Sequence, residues 1–356
     1  MKVGILSVLF VAVASLLPAS IPTPRSSAAS AQQTLRADVN VVSLYFTVRD
    51  KRERLVTNLA KDAFKVFEDG KPQEITFFAH HSDVPMNVGV LLDTSTAMAR
   101  TLGLEADAAS RFFQTVMRPN DQGFLVGYAA HIDVLQVPTE DAKSLSSKAQ
   151  VIRKGARIFD DSPTQSQRMP SPFPWPGSGL PIPVPSTPSN IPDAASLRVA
   201  RLYDAVDQSV NRFLSQEFGR KAIVIAALAD DAHSESTLRD ALKTLKENDV
   251  IAYLLEVQHI PRRGRDDCDI RHIFRNEDEY RIARLAAETG GRVIRVEGFD
   301  KMQSAFEQIA DELHHQYSLG YRPVNQSWDG GFRKVSIDAG KGFKISARDG
   351  YYAKPR

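Results

Sequence analysis

Apolar and polar positions change texture three times along this chain. From Val39 to Val48 they alternate, with Val, Phe and Tyr enriched, which predicts a half-buried strand. Asp50-Lys51-Arg52-Glu53 reads as a turn, and Ala60 to Phe64 as a short helical turn. Residues 65–68 and 74–80 predict two more strands, and Asp69-Gly70 between them is a strong hairpin signal. Three or four strands in so short a stretch hold too little core to be stable alone.

From Asn87 the texture becomes strand alternating with helix. Strands are expected at 87–93, 123–130, 132–137, 220–228, 249–257 and 292–296. Helices are expected at 102–117, 141–155, 196–217, 235–247, 277–289 and 300–316. The run Val88 to Leu92 is apolar throughout, as a strand covered on both faces must be. This order predicts an α/β fold, a doubly wound, mostly parallel sheet with helices on both faces.

After His315 strand texture returns, at 317–321, 334–338 and 343–348, with Asp329-Gly330-Gly331 and Gly340-Lys341-Gly342 as turns. These strands again make too small a core. The simplest solution is a β-sandwich built from an N-terminal segment, 38–82, and a C-terminal segment, 317–353, with the α/β domain, 86–316, inserted between them.

Two other stretches stand apart. Lys2, the apolar run Val3 to Leu17, Pro18 and Ala29-Ser30-Ala31 read as a cleaved export signal over 1–31, so the chain is expected to be exported to the periplasm, cell surface or medium. The apolar run is shorter than a membrane span needs, and no later segment is apolar enough to span. Residues 160–193 form a Pro-rich insertion, nine of the 20 prolines falling between Met169 and Asp193, so that stretch is expected to be extended. It reads as a tolerated surface loop or as a partner-docking segment presenting Phe173 and Trp175.

Composition narrows the function classes. Net charge is +2, with 42% hydrophobic and 25% charged residues, so nothing suggests a nucleic-acid surface or a polybasic membrane patch. One cysteine, Cys268, excludes an internal disulfide and a lipid-anchored cysteine after the signal. The mixed run 265–272 reads as a solvated loop, and the pairs His80-His81 and His314-His315 as surface positions at element ends. No Gly-x-Ser-x-Gly, Gly-x-Gly-x-x-Gly, Walker loop or His-Glu-x-x-His occurs, and no local pattern nominates a nucleophile and base. The chain is therefore expected not to be an enzyme.

Candidate chemistry gathers where the first α/β strand ends. Asp93 sits at the strand's carboxyl end, where open α/β sheets place their ligand sites. Asp93 and Ser95 put a carboxylate and a hydroxyl on one turn, both hard oxygen donors suited to Mg2+. Without a metal, Asp93 would serve as a helix cap or accept from loop amides.

Leu91-Leu92-Asp93-Thr94-Ser95-Thr96-Ala97-Met98 resembles the first metal-site loop of von Willebrand factor type A domains, Asp-x-Ser-x-Ser, with Ala97 in place of the last Ser. Phe67 to Ile75, Leu319-Gly320-Tyr321 and Gly350-Tyr351-Tyr352 resemble the VWFA-related proteins described from acidobacteria. The resemblance implies a sheet whose third strand runs antiparallel at the edge. It also implies a metal-ion-dependent adhesion site drawn from three loops, with Asp93, Ser95 and Asp230 as ligands. The Thr of the second loop is Ala200 here, so two positions lack an oxygen and Mg2+ binding is expected to be weak or absent, with Thr94, Thr96 and Asp231 nearby. The implied role is non-enzymatic binding of an unknown protein partner, in adhesion or scaffolding. The alternatives are a metal-dependent hydrolase using Asp93 and Asp230, and a structural envelope component.

Overall fold

The computed structural model describes residues 41–80, 84–95, 98, 101–160, 200–227, 231, 233–257, 271–296 and 301–355, with side chains at 153–160 and 271–279 left aside. The export signal, most of the Pro-rich insertion, Ala97, Cys268 and Asp230 lie outside these residues.

The chain begins with β1 (Val42–Asp50), β2 (Lys65–Glu68), β3 (Lys71–Gln73) and β4 (Ile75–Ala79). The α/β part follows, with β5 (Met86–Asp93), α1 (Leu102–Val116), β6 (Gln122–Tyr128), β7 (Ile132–Thr139) and α2 (Ala142–Asp160). It continues through α3 (Leu202–Ser209), β8 (Arg220–Ala227), α4 (Leu238–Glu247), β9 (Val250–Val257), α5 (Arg271–Thr289), β10 (Val293–Val296) and α6 (Met302–His314). The last strands are β11 (Tyr317–Tyr321), β12 (Phe332–Asp338), β13 (Phe343–Ser346) and β14 (Gly350–Tyr352).

A six-stranded sheet in the order β10-β9-β8-β5-β6-β7 forms the centre. Its neighbours are parallel except β7, which pairs antiparallel with β6 at one edge. All eight positions of β5 and of β9 are buried, the burial expected of strands covered on both faces. Alternate side chains feed two cores. Val88, Val90 and Leu92 join Phe112, Phe113 and Phe306 on the face of α1 and α6. Leu91 joins Phe124, Val206, Leu242 and Leu285 on the face of α3, α4 and α5.

Two four-stranded antiparallel sheets, β13-β1-β11-β4 and β14-β12-β2-β3, make up the rest. β1 pairs with β11 from Val42 to Phe46 and with β13 from Thr47 to Asp50. β12 pairs with β2, Val335 facing Glu68. Both sheets bury side chains in one core, including Leu44, Phe46, Val66, Leu319, Val335 and Tyr351.

The expected hairpin is corrected in its partner. Asp69-Gly70 returns the chain into β3, which pairs with β2, whereas β4 lies in the other sheet beside β11. Ile75 is buried in the shared core, and that burial draws the chain across. In the described part of the expected helix at 196–217, which starts at Ala200, the helix begins at Leu202 and passes into a π-helical turn, Val210–Leu214.

The paired sheets dock at the amino ends of the parallel strands. Arg220, which opens β8, donates to the carbonyls of Val84 (3.0 Å) and Leu313 (2.7 Å), tying together both chain crossings between the two parts. Arg49 of β1 meets Glu312 of α6 at 2.5 Å with both side chains 3% exposed, and Arg292 joins the same carboxylate. Lys246 of α4 bridges to Asp349 (3.0 Å) and Glu288 (2.6 Å). β5 ends in Asp93 at the opposite end of the sheet.

Candidate functional site

β5 delivers Asp93 to the carboxyl end of the sheet between β6 and β8. The chain then turns sharply. The Ser95 amide donates to Asp93 Oδ1 at 2.9 Å, and the Thr94 amide and hydroxyl donate to the Tyr128 carbonyl at 2.9 and 3.3 Å. The Met98 amide closes the turn on the Ser95 carbonyl at 3.0 Å. Asp93 and Ser95 are both buried, at 3% and 5% exposure. The turn thus brings together two of the three residues expected from the sequence, with one carboxylate oxygen held by the backbone.

Asp231, the neighbour of the third, has a structural task. Its Oδ1 accepts from the Tyr203 amide (3.1 Å) and the Ser234 hydroxyl (2.7 Å), and burial raises its pKa. Asp204, in the first turn of α3, accepts from the amides of Glu235 (3.0 Å) and Ser236 (2.8 Å) and from Arg201 Nε (2.8 Å). Burial works against the Asp204 carboxylate, but these donors outweigh it and hold its pKa below the usual range. Ala200 is buried and offers no side-chain oxygen.

One residue of this region is not singled out by sequence reasoning. Glu105, in the first turn of α1, is fully buried. Neither carboxyl oxygen has a hydrogen-bond partner among the described residues. Burial pushes its pKa up to about 8, opposed by the nearby Thr101 hydroxyl and reinforced by the Asp93 charge. The Thr101 hydroxyl nevertheless spends its proton on the Met98 carbonyl, at 3.1 Å. Tyr128 belongs to the same neighbourhood. Its hydroxyl donates to the Ala226 carbonyl at 3.3 Å, and burial, then the charges of Asp93, Glu105 and Asp231, raise its pKa. Glu105 shares the inward stripe of α1 with Leu102, Ala106, Ala109 and Phe113.

Among the described residues no three His, Cys, Asp or Glu side chains form a group that could hold a metal. The residues present nonetheless fit a hard divalent cation in part. Asp93 and Ser95 share a turn and offer it a carboxylate and a hydroxyl oxygen.

The strand order, the parallel pairing and the antiparallel edge strand decide the architecture. They are consistent with a von Willebrand factor A-like fold of the α/β part. No family model matches the chain, and no curated protein matches it. Solved structures similar to it include BatB from Bacteroides thetaiotaomicron, 16% identical, with a TM-score of 0.40, covering 64% of this chain and 97% of that one. Another is proximal thread matrix protein 1 from the mussel byssus, with a zinc-occupied MIDAS motif, 13% identical, TM-score 0.39, covering 66% of this chain. This chain spans 49% of that mussel protein. A third is an aerotolerance-related membrane protein from Bacteroides fragilis, 19% identical, TM-score 0.35, covering 64% of this chain and 99% of that one. No helix among the described residues is long and apolar enough to cross a membrane.

Proposed function

We propose that this chain is an exported, non-enzymatic binding protein of the acidobacterial VWFA-related kind, which recognises a protein partner through the loops at the carboxyl end of its central sheet. In this reading the strands of 38–82 and 317–353 form a β-sandwich that carries the α/β domain. The observation that carries the reading is the buried Asp93–Ser95 turn at the carboxyl end of β5, with the paired sheets docked at the other end. That arrangement leaves the Asp93 end to the partner.

Asp93, Ser95 and Asp230 would hold a divalent cation, Mg2+ in the simplest case, which supplies a Lewis-acidic point for an acidic group of the partner. The chain's own residues orient that point. The Ser95 amide fixes one Asp93 oxygen, Thr94 locks the turn to β6, and Asp231 and Asp204 hold the neighbouring loops by their amides. Two cavities, of about 420 and 760 Å3, lie one between the β part and the amino ends of β8 and β9 and the other between α4 and α5.

The test is affinity enrichment from envelope fractions with crosslinking, comparing the unaltered chain, Asp93→Ala, and Lys51→Ala in an exposed turn of the β part. The reading expects a set of captured proteins that Asp93→Ala loses and Lys51→Ala keeps. An Asp93→Ala chain that captures the same set at the same yield would overturn it.

A further inference from the structure

We propose that the cavity between the β part and the amino ends of β8 and β9 is a binding site for a small organic carboxylate with an apolar body, its anionic group held by Lys221 and the Tyr45 hydroxyl. The cavity lies at the other end of the central sheet from the Asp93 turn and stands without it.

The first ground is the shape of the joint. Ser43, Tyr45, Thr47 and Arg49 alternate along β1 with the side chains of the small core and face the α/β part. Thr47 and Arg49 are buried in that joint. Ser43 and Tyr45 instead line a cavity of about 420 Å3, with Lys221, Leu245, Ile251 and Arg348 around it. Small-molecule sites span roughly 300–1,000 Å3 and favour the junction of two folded parts.

The second ground is the chemistry of the lining. Leu245, Val250 and Ile251 are buried and give the cavity an apolar floor. Lys221 stands beside them, half-buried and in register with Val250 at the start of β8. Among the described residues it makes no ion pair or hydrogen bond, and neither does the Tyr45 hydroxyl. Burial lowers the Lys221 pKa, opposed by the Glu217 charge and reinforced by that of Lys354. Arg348, by contrast, is paired with Asp249 and donates to the Ser43 carbonyl at 2.8 Å, and Lys246 bridges Glu288 and Asp349. Those two cations fix the walls. Lys221 and Tyr45 have donors to spare, and an entering carboxylate gains a charge-assisted bond without breaking an existing one.

The third ground is the mouth. Phe218 lines it at 91% exposure. Its backbone is held in place, because the Asn87 side-chain amide donates to its carbonyl at 3.1 Å. Gly219 follows at φ +95°, with the Pro85 carbonyl where a side chain would stand. An apolar body entering the cavity covers this ring, and the fixed turn keeps the ordering cost of that contact low.

The experiment is titration of the full chain with phenylbutyrate, a carboxylate on an aromatic body, read by isothermal calorimetry and saturation-transfer NMR. Acetate, inorganic phosphate and uncharged phenylbutyramide are the comparison probes. Wild type, Lys221→Met, Lys221→Arg, Ser43→Trp and Asp93→Ala are compared, with circular dichroism and melting as folding controls. The proposal expects saturable, one-to-one binding of phenylbutyrate to the wild type at millimolar concentration, about tenfold tighter than that of the amide. Lys221→Met should weaken it about tenfold, Lys221→Arg should keep most of it, and Ser43→Trp, at an exposed position of β1, should block it. Asp93→Ala should bind as the wild type does. Equal affinity in wild type and Lys221→Met, or for acid and amide, overturns the proposal. So does loss of binding in Asp93→Ala, which would move the site to the other end of the sheet. Acetate or phosphate bound as tightly as phenylbutyrate removes the apolar body and overturns it too, as does a wild type that takes up no phenylbutyrate at millimolar concentration.

Discussion

The Tyr321 hydroxyl donates to Glu68 Oε2 at 2.8 Å across 253 positions of chain. Tyr351 donates to the same oxygen at 3.0 Å. Glu68 belongs to the Phe-Glu-Asp-Gly stretch, Tyr321 to Leu-Gly-Tyr and Tyr351 to Gly-Tyr-Tyr, so three separated sequence features meet at one buried carboxylate between the two small sheets. Burial, together with that carboxylate, raises the pKa of both tyrosines and keeps them as donors.

This triad predicts an asymmetry. Glu68→Ala strands two buried hydroxyls and should lower stability by about 2–4 kcal/mol, whereas Tyr321→Phe removes one bond and should cost about 1–2 kcal/mol. Urea unfolding followed by tryptophan fluorescence measures both. Equal costs would argue against a shared acceptor.

The joint between the two parts predicts a second effect. Arg49→Ala leaves the buried Glu312 carboxylate with Arg292 as its remaining ion-pair partner, and should cost about 3 kcal/mol. Arg49→Met keeps the packing of the stem but not the charge. If Arg49→Met recovers most of the loss, packing and not the ion pair holds the joint.

Gly89 predicts a third. Phe124 lies over it so closely that an added Cβ would overlap the ring. Both residues sit in the packed centre of β5 and β6, so Gly89→Val should destabilise by about 1–3 kcal/mol. Differential scanning calorimetry would register it as a lower melting temperature with an unchanged far-ultraviolet spectrum at 20 °C.

A pH effect comes from His314. Burial lowers its pKa, only partly offset by the Val116 carbonyl 2.9 Å from Nε2, and the charges of Arg118 and Arg220 lower it further. The folded state therefore prefers the neutral ring more than the unfolded state does. This contribution to stability is complete above about 6.5, the unfolded value, and is lost as pH falls below it. Stability measured at pH 7.5 and pH 5.5 should fall towards the lower pH, and His314→Gln should flatten that part of the curve.

The sequence by itself determined the central sheet. β5 and β9 are apolar at nearly every position, because a strand covered on both faces has no polar side to show. The alternation of strand and helix then leaves little choice but a doubly wound α/β sheet. The same local patterns could not say which sheet β4 joins. Ile75 to Ala79 reads equally well as the second arm of a hairpin, and only the shared core draws it beside β11. Asp93 and Ser95 were legible as candidates because two oxygen donors stand together at the end of an apolar strand, a purely local feature. Glu105 was not, since a glutamate in the first turn of a helix is usually solvated. Its burial arises only when α1 packs on the sheet and closes over it. The meeting of Glu68 with Tyr321 and Tyr351 was likewise a decision of tertiary structure, because hydrogen bonds across 253 and 283 positions depend on how sheets stack, and no local pattern encodes that.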